Sequence, residues 1–268
     1  MEIFEFHGVS NFTYVEDGHY VIHDTHITHN VFIKKSKTNS TQLYIFGQGA
    51  VDKSKPQPNF QRVSWVDELE DNIIIATDPT LTDNQLSIGW FQCSMETNYF
   101  YRFSELVKFI AVKMSLDISK PILYGSSAGG FASLMLSPYF NSPVVVVNNP
   151  QTDWTLFYES KVKDVLDTIY NGMNVDEYRK KFPMKFNAID VFKATSKVPS
   201  IIFMQNLDDI FHYERHCAPF MQWMRDQYKN SKLTERGLIT YLYRNPSEGH
   251  NPCSKEITLR YLELAKSL

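Results

Sequence analysis

Short apolar runs recur along most of the chain, and segments with helical spacing separate them. The strand-like runs lie at 43–46, 72–76, 122–124, 144–147, 201–204 and 239–243. Near-continuous apolar strands of this kind are typical of a parallel sheet that is covered on both faces. The segments that predict helices lie at 59–69, 102–115, 129–137, 212–229 and 254–267. This alternation indicates an α/β fold with a doubly wound, mostly parallel sheet.

Two regions depart from the alternation. Residues 1–41 predict an N-terminal β region of antiparallel strands, with 12–15 and 19–23 as the arms of a hairpin around an Asp-Gly turn. Residues 151–196 are too many for a simple crossover, and helical spacing around Val162 and Leu166 predicts a helical insertion that forms a cap. We expect the 268 residues to form a single domain.

Composition narrows the range of partners. The net charge of −3 and the pI near 6.2 give no reason to expect nucleic acid or an anionic membrane as partner. No apolar run reaches the length of a membrane span, and the first residues lack the basic and apolar regions of a signal peptide. Three widely spaced cysteines, Cys93, Cys217 and Cys253, match neither a disulfide framework nor a zinc pattern. These features predict a cytoplasmic protein, and the oligomeric state stays open.

The most informative motif lies at residues 121–136. A short apolar run leads into Gly125-Ser126-Ser127-Ala128-Gly129, which reads G-x-S-x-G, and a helix-compatible segment follows. In a nucleophile elbow such a strand–turn–helix unit holds a strained serine, here Ser127, so that its oxygen projects from the sheet. The amide of Ala128 at the helix N-terminus would stabilise negative charge beside it. A structural glycine turn is the alternative, because the residues that phosphate- and dinucleotide-binding loops require are absent.

A serine nucleophile needs a base, and histidine is the usual one. In α/β-hydrolases the chain order is serine, acid, histidine, which leaves three candidates downstream of Ser127. They are His212, His216 and His250. His250 lies in a polar loop between the last predicted strand and the C-terminal helix, where a sheet of this kind builds its site. We therefore predict His250 as the base, with the other two on the exposed face of a helix.

The acid is predicted in the loop after residues 201–204, where Asp208 and Asp209 are adjacent. Either carboxylate fits the role at this point, and the other would cap the following helix. Serine, acid and histidine thus each follow a predicted strand in the expected order, which predicts an α/β-hydrolase fold.

A metal site is the competing interpretation of the histidines. His212 and His216 are one helical turn apart behind the two aspartates, and four more histidines lie between residues 19 and 29. No matching set of carboxylates or cysteines accompanies them, so we expect no metal.

Four blocks of sequence together resemble the bacterial capsular-polysaccharide O-acetyltransferases of the α/β-hydrolase type. They read LYGSSAGG at 123–130, VNNPQ at 147–151, NLDD at 206–209 and GH at 249–250. The resemblance runs from about residue 42 to the end and is specific at these blocks, whereas the N-terminal β region has no counterpart in it.

This resemblance implies transfer of an acetyl group from acetyl-coenzyme A to a polysaccharide or oligosaccharide hydroxyl through an acetyl-serine. By motif position it assigns the nucleophile to Ser127, the base to His250 and the acid to Asp209, since the family uses the second aspartate of the pair. It places the second oxyanion-hole amide at Gly47 or Gln48. It implies acetyl-coenzyme A as donor without a permanently bound cofactor, and it identifies no residues that bind the donor.

Two other functions fit the same residues. A carbohydrate esterase or deacetylase would use the same serine, histidine and aspartate with water as acceptor, and would differ in how the site excludes water. A non-catalytic accessory protein of glycan assembly or export is the second alternative, and the intact set of three residues argues against it. Aromatic residues such as Trp90, Trp154 and Tyr158 flank the predicted site loops, where they would either stack on sugar rings or pack in the core.

Overall fold

The central element is a mixed sheet, seen here in a computed structural model that describes residues 1–82, 86–229 and 237–268. Within these residues its strands follow the order β1-β2-β3-β5-β4-β6-β7-β8-β9. They are β1 (Ile3–His7), β2 (Gly18–His23), β3 (Thr28–Lys34), β4 (Leu43–Gly47), β5 (Asn72–Ala76), β6 (Ile122–Ser126), β7 (Val144–Asn148), β8 (Ser200–Asn206) and β9 (Leu238–Tyr243). From β5 to β9 each neighbouring pair is parallel, which confirms the predicted doubly wound α/β fold.

Helices cover both faces of this sheet. The α-helices of the described residues are α1 (Tyr99–Met114), α2 (Ala128–Leu136), α3 (Glu159–Ile169), α4 (Val175–Lys181), α5 (Ala188–Thr195), α6 (Ile210–His212), α7 (Ala218–Lys229) and α8 (Lys255–Ala265). Alternate residues of one strand belong to two separate cores: Val145 and Val147 pack with α1 and α2, and Val144 and Val146 pack with α8. Burial of both faces explains why the central strands are apolar at nearly every position.

The predicted helical insertion is present between β7 and β8. It consists of α3, α4 and α5, and the apolar stripe of α3 is buried through Val162, Val165 and Leu166. The division of the chain into domains stays a prediction. Across residues 1–82, 86–229 and 237–268, no helix has both the length and the apolar character that crossing a bilayer requires.

The predicted N-terminal hairpin is wrong in its first arm. Residues 12–15 are not a strand; β1 pairs with β2 in parallel, and the antiparallel partner of β2 is β3. The cause is the buried Tyr20, whose hydroxyl accepts from the amides of Val15 and Glu16 and donates to the Glu16 carbonyl. The backbone at the Asp-Gly pair therefore wraps around a phenol instead of pairing across a hairpin turn.

The helix predicted at 59–69 is also shorter than expected. A 3₁₀ helix covers Val63–Glu68, and Arg62 before it has a left-handed backbone with φ of 67°. The Arg62 guanidinium lies over the rings of Trp65 and Tyr124 and donates to the Ser126 hydroxyl. The contacts with Tyr124 and Ser126, both on β6, hold the Arg62 backbone at a point where a continuous helix would need an ordinary α conformation.

Candidate active site

Ser127 lies at the sharp turn between β6 and α2, with backbone angles of φ 53° and ψ −123°. Two flanking glycines make this turn possible because their backbones touch. A Cβ on Gly125 would come within 2.1 Å of the Gly129 carbonyl carbon, and one on Gly129 would come within 2.4 Å of the Gly47 carbonyl oxygen. The glycines of the G-x-S-x-G motif therefore let β4, β6 and the start of α2 approach closely. The strained serine is held at the carboxyl end of the sheet.

The structure brings Ser127, His250 and Asp209 into one hydrogen-bonded chain. The Ser127 Oγ lies 2.9 Å from the His250 Nε2, and the His250 Nδ1 lies 2.7 Å from an Asp209 carboxylate oxygen. Because a carboxylate only accepts, Nδ1 carries the proton and Nε2 presents its lone pair to the serine hydroxyl. A hydroxyl, a lone pair and an orienting carboxylate in this order can move the serine proton to the histidine.

The Asp209 carboxyl is ionised in this arrangement. Burial alone would raise the pKa of Asp209, but the hydrogen bonds from His212 and His250 hold it well below its usual range. Asp208 points elsewhere, because an oxygen of its carboxylate lies 2.7 Å from the Arg244 guanidinium. The geometry thus brings the second aspartate, and not the first, to His250.

Two buried asparagines fix the loop that carries His250. Asn149 donates to the carbonyls of His250 and Asn251, at 3.1 Å each, and accepts from the amide of Asn206 at 2.8 Å. Asn206 in turn donates to the carbonyls of Asn245 and Gly249, at 2.8 Å each. The Asn206 side chain therefore joins the loop of Asp209 to the loop of His250.

Sequence reasoning missed a second set of side chains at Ser127. The Gln151 Nε2 lies 3.0 Å from the Ser127 Oγ and 2.9 Å from the His212 Nε2, and the Trp90 Nε1 donates to the Gln151 Oε1 at 3.2 Å. The His212 Nδ1 lies 2.9 Å from the other oxygen of Asp209. The His212 and His250 rings stack with centroids 3.7 Å apart.

The expectation that His212 and His216 lie on an exposed helix face is wrong. Both are buried, at 1% and 0% exposure; His212 ends α6, and His216 lies in the π-helical turn Tyr213–Cys217 that joins α6 to α7. Residues four apart share one face of a helix, and on this face the His212 Nε2 lies 2.9 Å from the Gln151 Nε2 and the His216 Nδ1 accepts from the Thr152 amide at 3.3 Å. Burial lowers the pKa of His212 below its ordinary value, and burial is also the main reason that the pKa of His216 is lowered to about 3.

The predicted oxyanion-hole residues lie around the elbow. Ala128 is the first residue of α2, and Gly47 ends β4 with its carbonyl against Gly129. The side chain of Gln48 is engaged elsewhere, since it accepts from the Asp78 amide at 2.6 Å and donates to the Asn59 carbonyl at 2.9 Å. The backbone of Gln48, and not its side chain, faces the elbow turn at Gly129. The role of the backbone amides of Ala128, Gly47 and Gln48 in an oxyanion hole stays a prediction.

In the described part of the chain there are two groups of three side chains, and in each group the three potential metal-ligating atoms lie within 4.8 Å of one another. They are Glu5, His7 and His23 on β1 and β2, and Asp209, His212 and His250 at the elbow. In the second group both Nδ1 atoms lie at hydrogen-bond distance from Asp209, so proton-mediated contacts account for the arrangement.

Comparison with known proteins places this site in context. Residues 96–232 match the model of an uncharacterised protein family, UPF0227. The search of curated proteins found no match.

Among solved structures the chain resembles the capsule O-acetyltransferase of Neisseria meningitidis serogroup A. A histidine-to-alanine variant of that protein, in complex with CoA, has 14% identity and a TM-score of 0.66, with 96% of this chain and 99% of that one covered. The glycosylation-associated Gap123 complex of Streptococcus agalactiae has 12% identity and a TM-score of 0.61, and the match covers 92% of this chain and 46% of that one. A putative esterase of Staphylococcus aureus has 11% identity and a TM-score of 0.58, and the match covers 95% of this chain and 84% of that one. These likenesses confirm the α/β-hydrolase fold.

Proposed function

Since the chain belongs to the uncharacterised protein family UPF0227 and folds as an α/β-hydrolase, we propose that it is a serine-dependent acyl-transfer enzyme. More specifically, we propose an O-acetyltransferase that moves an acetyl group from acetyl-coenzyme A to a hydroxyl of a bacterial capsular or surface polysaccharide. The observation that carries the proposal is the hydrogen-bonded chain from Ser127 through His250 to Asp209, at 2.9 and 2.7 Å.

In the first half of the reaction the serine becomes acetylated. The Ser127 Oγ forms a bond to the thioester carbonyl carbon while its proton passes to the His250 Nε2, and Asp209 stabilises the resulting imidazolium. The amides of Ala128 and of the Gly47–Gln48 turn donate to the carbonyl oxygen as it becomes negative. The carbon–sulfur bond then breaks, and His250 returns the proton to the departing coenzyme A thiolate.

In the second half the acetyl group leaves the serine. A sugar hydroxyl gives its proton to the His250 Nε2 and forms a bond to the acetyl carbon. The bond between that carbon and the Ser127 Oγ then breaks, and the serine oxygen takes the proton back from His250. Water in place of the sugar hydroxyl would make the enzyme an esterase, so the proposal requires an acceptor that competes with water.

An aromatic surface beside the site supports a carbohydrate acceptor. The rings of Tyr158 and Phe211 stack at 4.4 Å, and the Arg215 guanidinium lies 4.4 Å from the Phe211 centroid on the same stack. Tyr158 is 52% exposed, and Phe211 is 5.1 Å from the ring of His212. The exposed Tyr158, which reaches the site through Phe211 and His212, offers a sugar ring an apolar body and a polar tip.

The donor and the location belong to the same proposal. A CoA complex of a protein with the same fold supports acetyl-coenzyme A as donor. Within the described residues Cys93, Cys217 and Cys253 form no disulfide, which fits a reducing cytoplasm.

The test is to incubate the protein with acetyl-coenzyme A alone and to look for an acetylated peptide. We expect a mass gain of one acetyl group on the peptide that contains Ser127, because a two-step transferase stores the group on its nucleophile. Ser127→Ala should show no label, and His250→Ala should acquire it far more slowly.

A second stage adds capsule oligosaccharides to the acetylated protein and follows both products by mass spectrometry. Transfer to a glycan supports the acetyltransferase. Hydrolysis of acetyl esters without transfer to any glycan would favour the esterase. If the protein neither became acetylated nor hydrolysed any of a range of donors, it would be an accessory protein without catalytic activity.

A further inference from the structure

Five side chains at the elbow close a ring of hydrogen bonds. The ring runs from Ser127 to His250, Asp209, His212 and Gln151 and back to Ser127. The proposed function uses one side of this ring, from the serine through His250 to Asp209. The other side, from Asp209 through His212 and Gln151, reaches the same serine oxygen and has no role in that mechanism.

We propose that Gln151 is a further catalytic residue of this site, whose amide donates a hydrogen bond to the Ser127 oxygen, and that His212 is the positioning residue that holds this amide in place. The inference rests on the proposed function, because it assumes that Ser127 is the nucleophile.

The direction of each bond on this side follows from chemistry. The indole N–H of Trp90 is only a donor, so the Gln151 atom that it meets at 3.2 Å must be the carbonyl Oε1. The amide Nε2 therefore faces Ser127 and His212, with one N–H for each, at 3.0 and 2.9 Å. His212 can accept at Nε2 only if its proton is on Nδ1, where it is donated to Asp209 at 2.9 Å.

His212 is built to stay in that neutral form. It is 1% exposed, and burial lowers its pKa, which opposes the doubly protonated imidazolium that could not accept from Gln151. Stacking on His250 at 3.7 Å places the ring where a second positive charge would be repelled during the reaction. Asp209 thus holds His250 as the base on one oxygen and His212 as a fixed acceptor on the other.

The consequence for the serine is twofold. A hydroxyl has one hydrogen and two lone pairs, so a donor on one lone pair leaves the hydrogen directed at the His250 Nε2. While the proton moves to His250, Oγ carries partial negative charge, which the Gln151 N–H stabilises. The same bond acts when the acyl–oxygen bond breaks and the electron pair returns to Oγ.

The test uses a fluorophosphonate ester, which reacts with an activated serine without donor or acceptor substrates. The Ser127 Oγ would form the bond to phosphorus, fluoride would leave, and the serine proton would pass to His250. Labelling of the Ser127 peptide is followed by mass spectrometry over a range of probe concentrations. We expect Gln151→Met, which keeps the bulk and removes the donor, to lower the maximal labelling rate by about 10- to 100-fold. The half-saturating probe concentration should change by less than about threefold.

Two substitutions of His212 separate its two hydrogen bonds. An asparagine amide reaches as far as Nδ1 of a histidine and keeps the bond to Asp209, whereas a glutamine amide reaches as far as Nε2 and keeps the acceptor for Gln151. The proposal predicts that His212→Gln labels within about threefold of wild type and that His212→Asn falls close to Gln151→Met. His29→Asn is the matched control, since this histidine is also buried, at 2% exposure, but packs on Tyr99 and Phe103 instead.

A double variant tests whether His212 acts through Gln151. In the Gln151→Met background, His212→Asn should slow labelling little further, because the amide that it positions is gone. Additive losses, or His212→Asn faster than His212→Gln, would overturn the inference, as would labelling of a folded Gln151→Met protein at the wild-type rate. Absence of labelling at Ser127 in the wild-type protein would overturn the proposed function itself, and this inference with it.

Discussion

Two clusters of one carboxylate and two histidines lie in different regions of the molecule. The edge cluster on β1 and β2 consists of Glu5, His7 and His23, and the site cluster at the elbow consists of Asp209, His212 and His250. Each contains a carboxylate–imidazole contact of 2.7 Å, between Glu5 and His23 and between Asp209 and His250. Their surroundings differ, because the Glu5 side chain is 55% exposed and that of Asp209 is 7% exposed.

The comparison shows that the distance between two groups does not decide what they do. An exposed ion pair competes with water and salt and fixes little. In the site cluster a second imidazole occupies the remaining carboxylate oxygen, and buried asparagines hold the loop of the base. In the site cluster the carboxylate–imidazole pair is buried and its polar atoms have hydrogen-bond partners, so the pair keeps one fixed geometry next to a strained serine.

The largest expected effect tests whether the site cluster serves a nucleophile. Ser127→Ala should lower acyl transfer by three or more orders of magnitude and leave the fold intact, because it removes one oxygen from a turn that its glycines define. The measurement is turnover of an acetyl ester or thioester, with circular dichroism as the check on folding. A folded variant with near-normal turnover would contradict the elbow assignment.

The second prediction separates the two adjacent carboxylates. Asp209→Asn should cost about 10²- to 10⁴-fold in kcat, because an amide no longer enforces the histidine tautomer or stabilises the imidazolium. Asp208→Asn is the matched control and should change kcat by less than about threefold, since Asp208 pairs with Arg244 on the surface side of the loop. The reverse order of effects would make Asp208 the acid.

The third prediction concerns a buried neighbour of the site cluster, His216, whose pKa is lowered to about 3, first by burial. Between that value and the unfolded value of about 6.5, the unfolded chain binds a proton that the folded protein does not, so stability falls as the pH decreases. From pH 7 to pH 5, wild type should lose about 2 kcal/mol more unfolding free energy than His216→Gln, as measured by urea denaturation. Equal losses in both proteins would show that His216 does not titrate in this way.

The smallest effect is expected in the edge cluster. Glu5→Gln removes a solvent-exposed carboxylate that contacts His23. Turnover should therefore stay within about twofold of wild type, and the midpoint of thermal unfolding should hardly change. Parallel assays of Glu5→Gln and Asp209→Asn compare directly how much turnover each cluster contributes. A large loss of activity in Glu5→Gln would mean that the edge cluster communicates with the elbow.

The parts that the sequence predicted well are those with local signals. The elbow is contiguous, so strand, turn and helix are encoded within residues 122–136, and the small residues have direct steric reasons. Chain order predicts Ser127 and His250, and only the resemblance favours Asp209 over Asp208. The structure brings the three side chains into hydrogen-bond distance, and their catalytic roles stay a prediction. The N-terminal hairpin was wrong because the partner of the Asp-Gly segment is the hydroxyl of Tyr20, which no pairing pattern shows.

The rest of the site depends on contacts between distant residues. Gln151 meets His212 across 61 positions, and Asn149 meets the His250 carbonyl across 101 positions. Amide side chains bind either backbone or side-chain partners, so residue type alone does not reveal the partner. His212 and His216 lie on a helix face that meets Gln151 and Thr152, and the spacing of the two histidines does not show whether their face is covered.

The position of β9 at the end of the sheet links activity to local opening of the structure. β9 pairs with β8 on one side and is partly exposed along its length, and the loop that follows it carries His250. Edge segments open at a lower free-energy cost than the core strands that hold Ser127. Activity should therefore fade on warming before the protein melts and return on cooling, with hydrogen exchange at β9 as its structural signature. The temperature at which β9 opens would then set the upper limit of activity, below the temperature at which the whole protein unfolds.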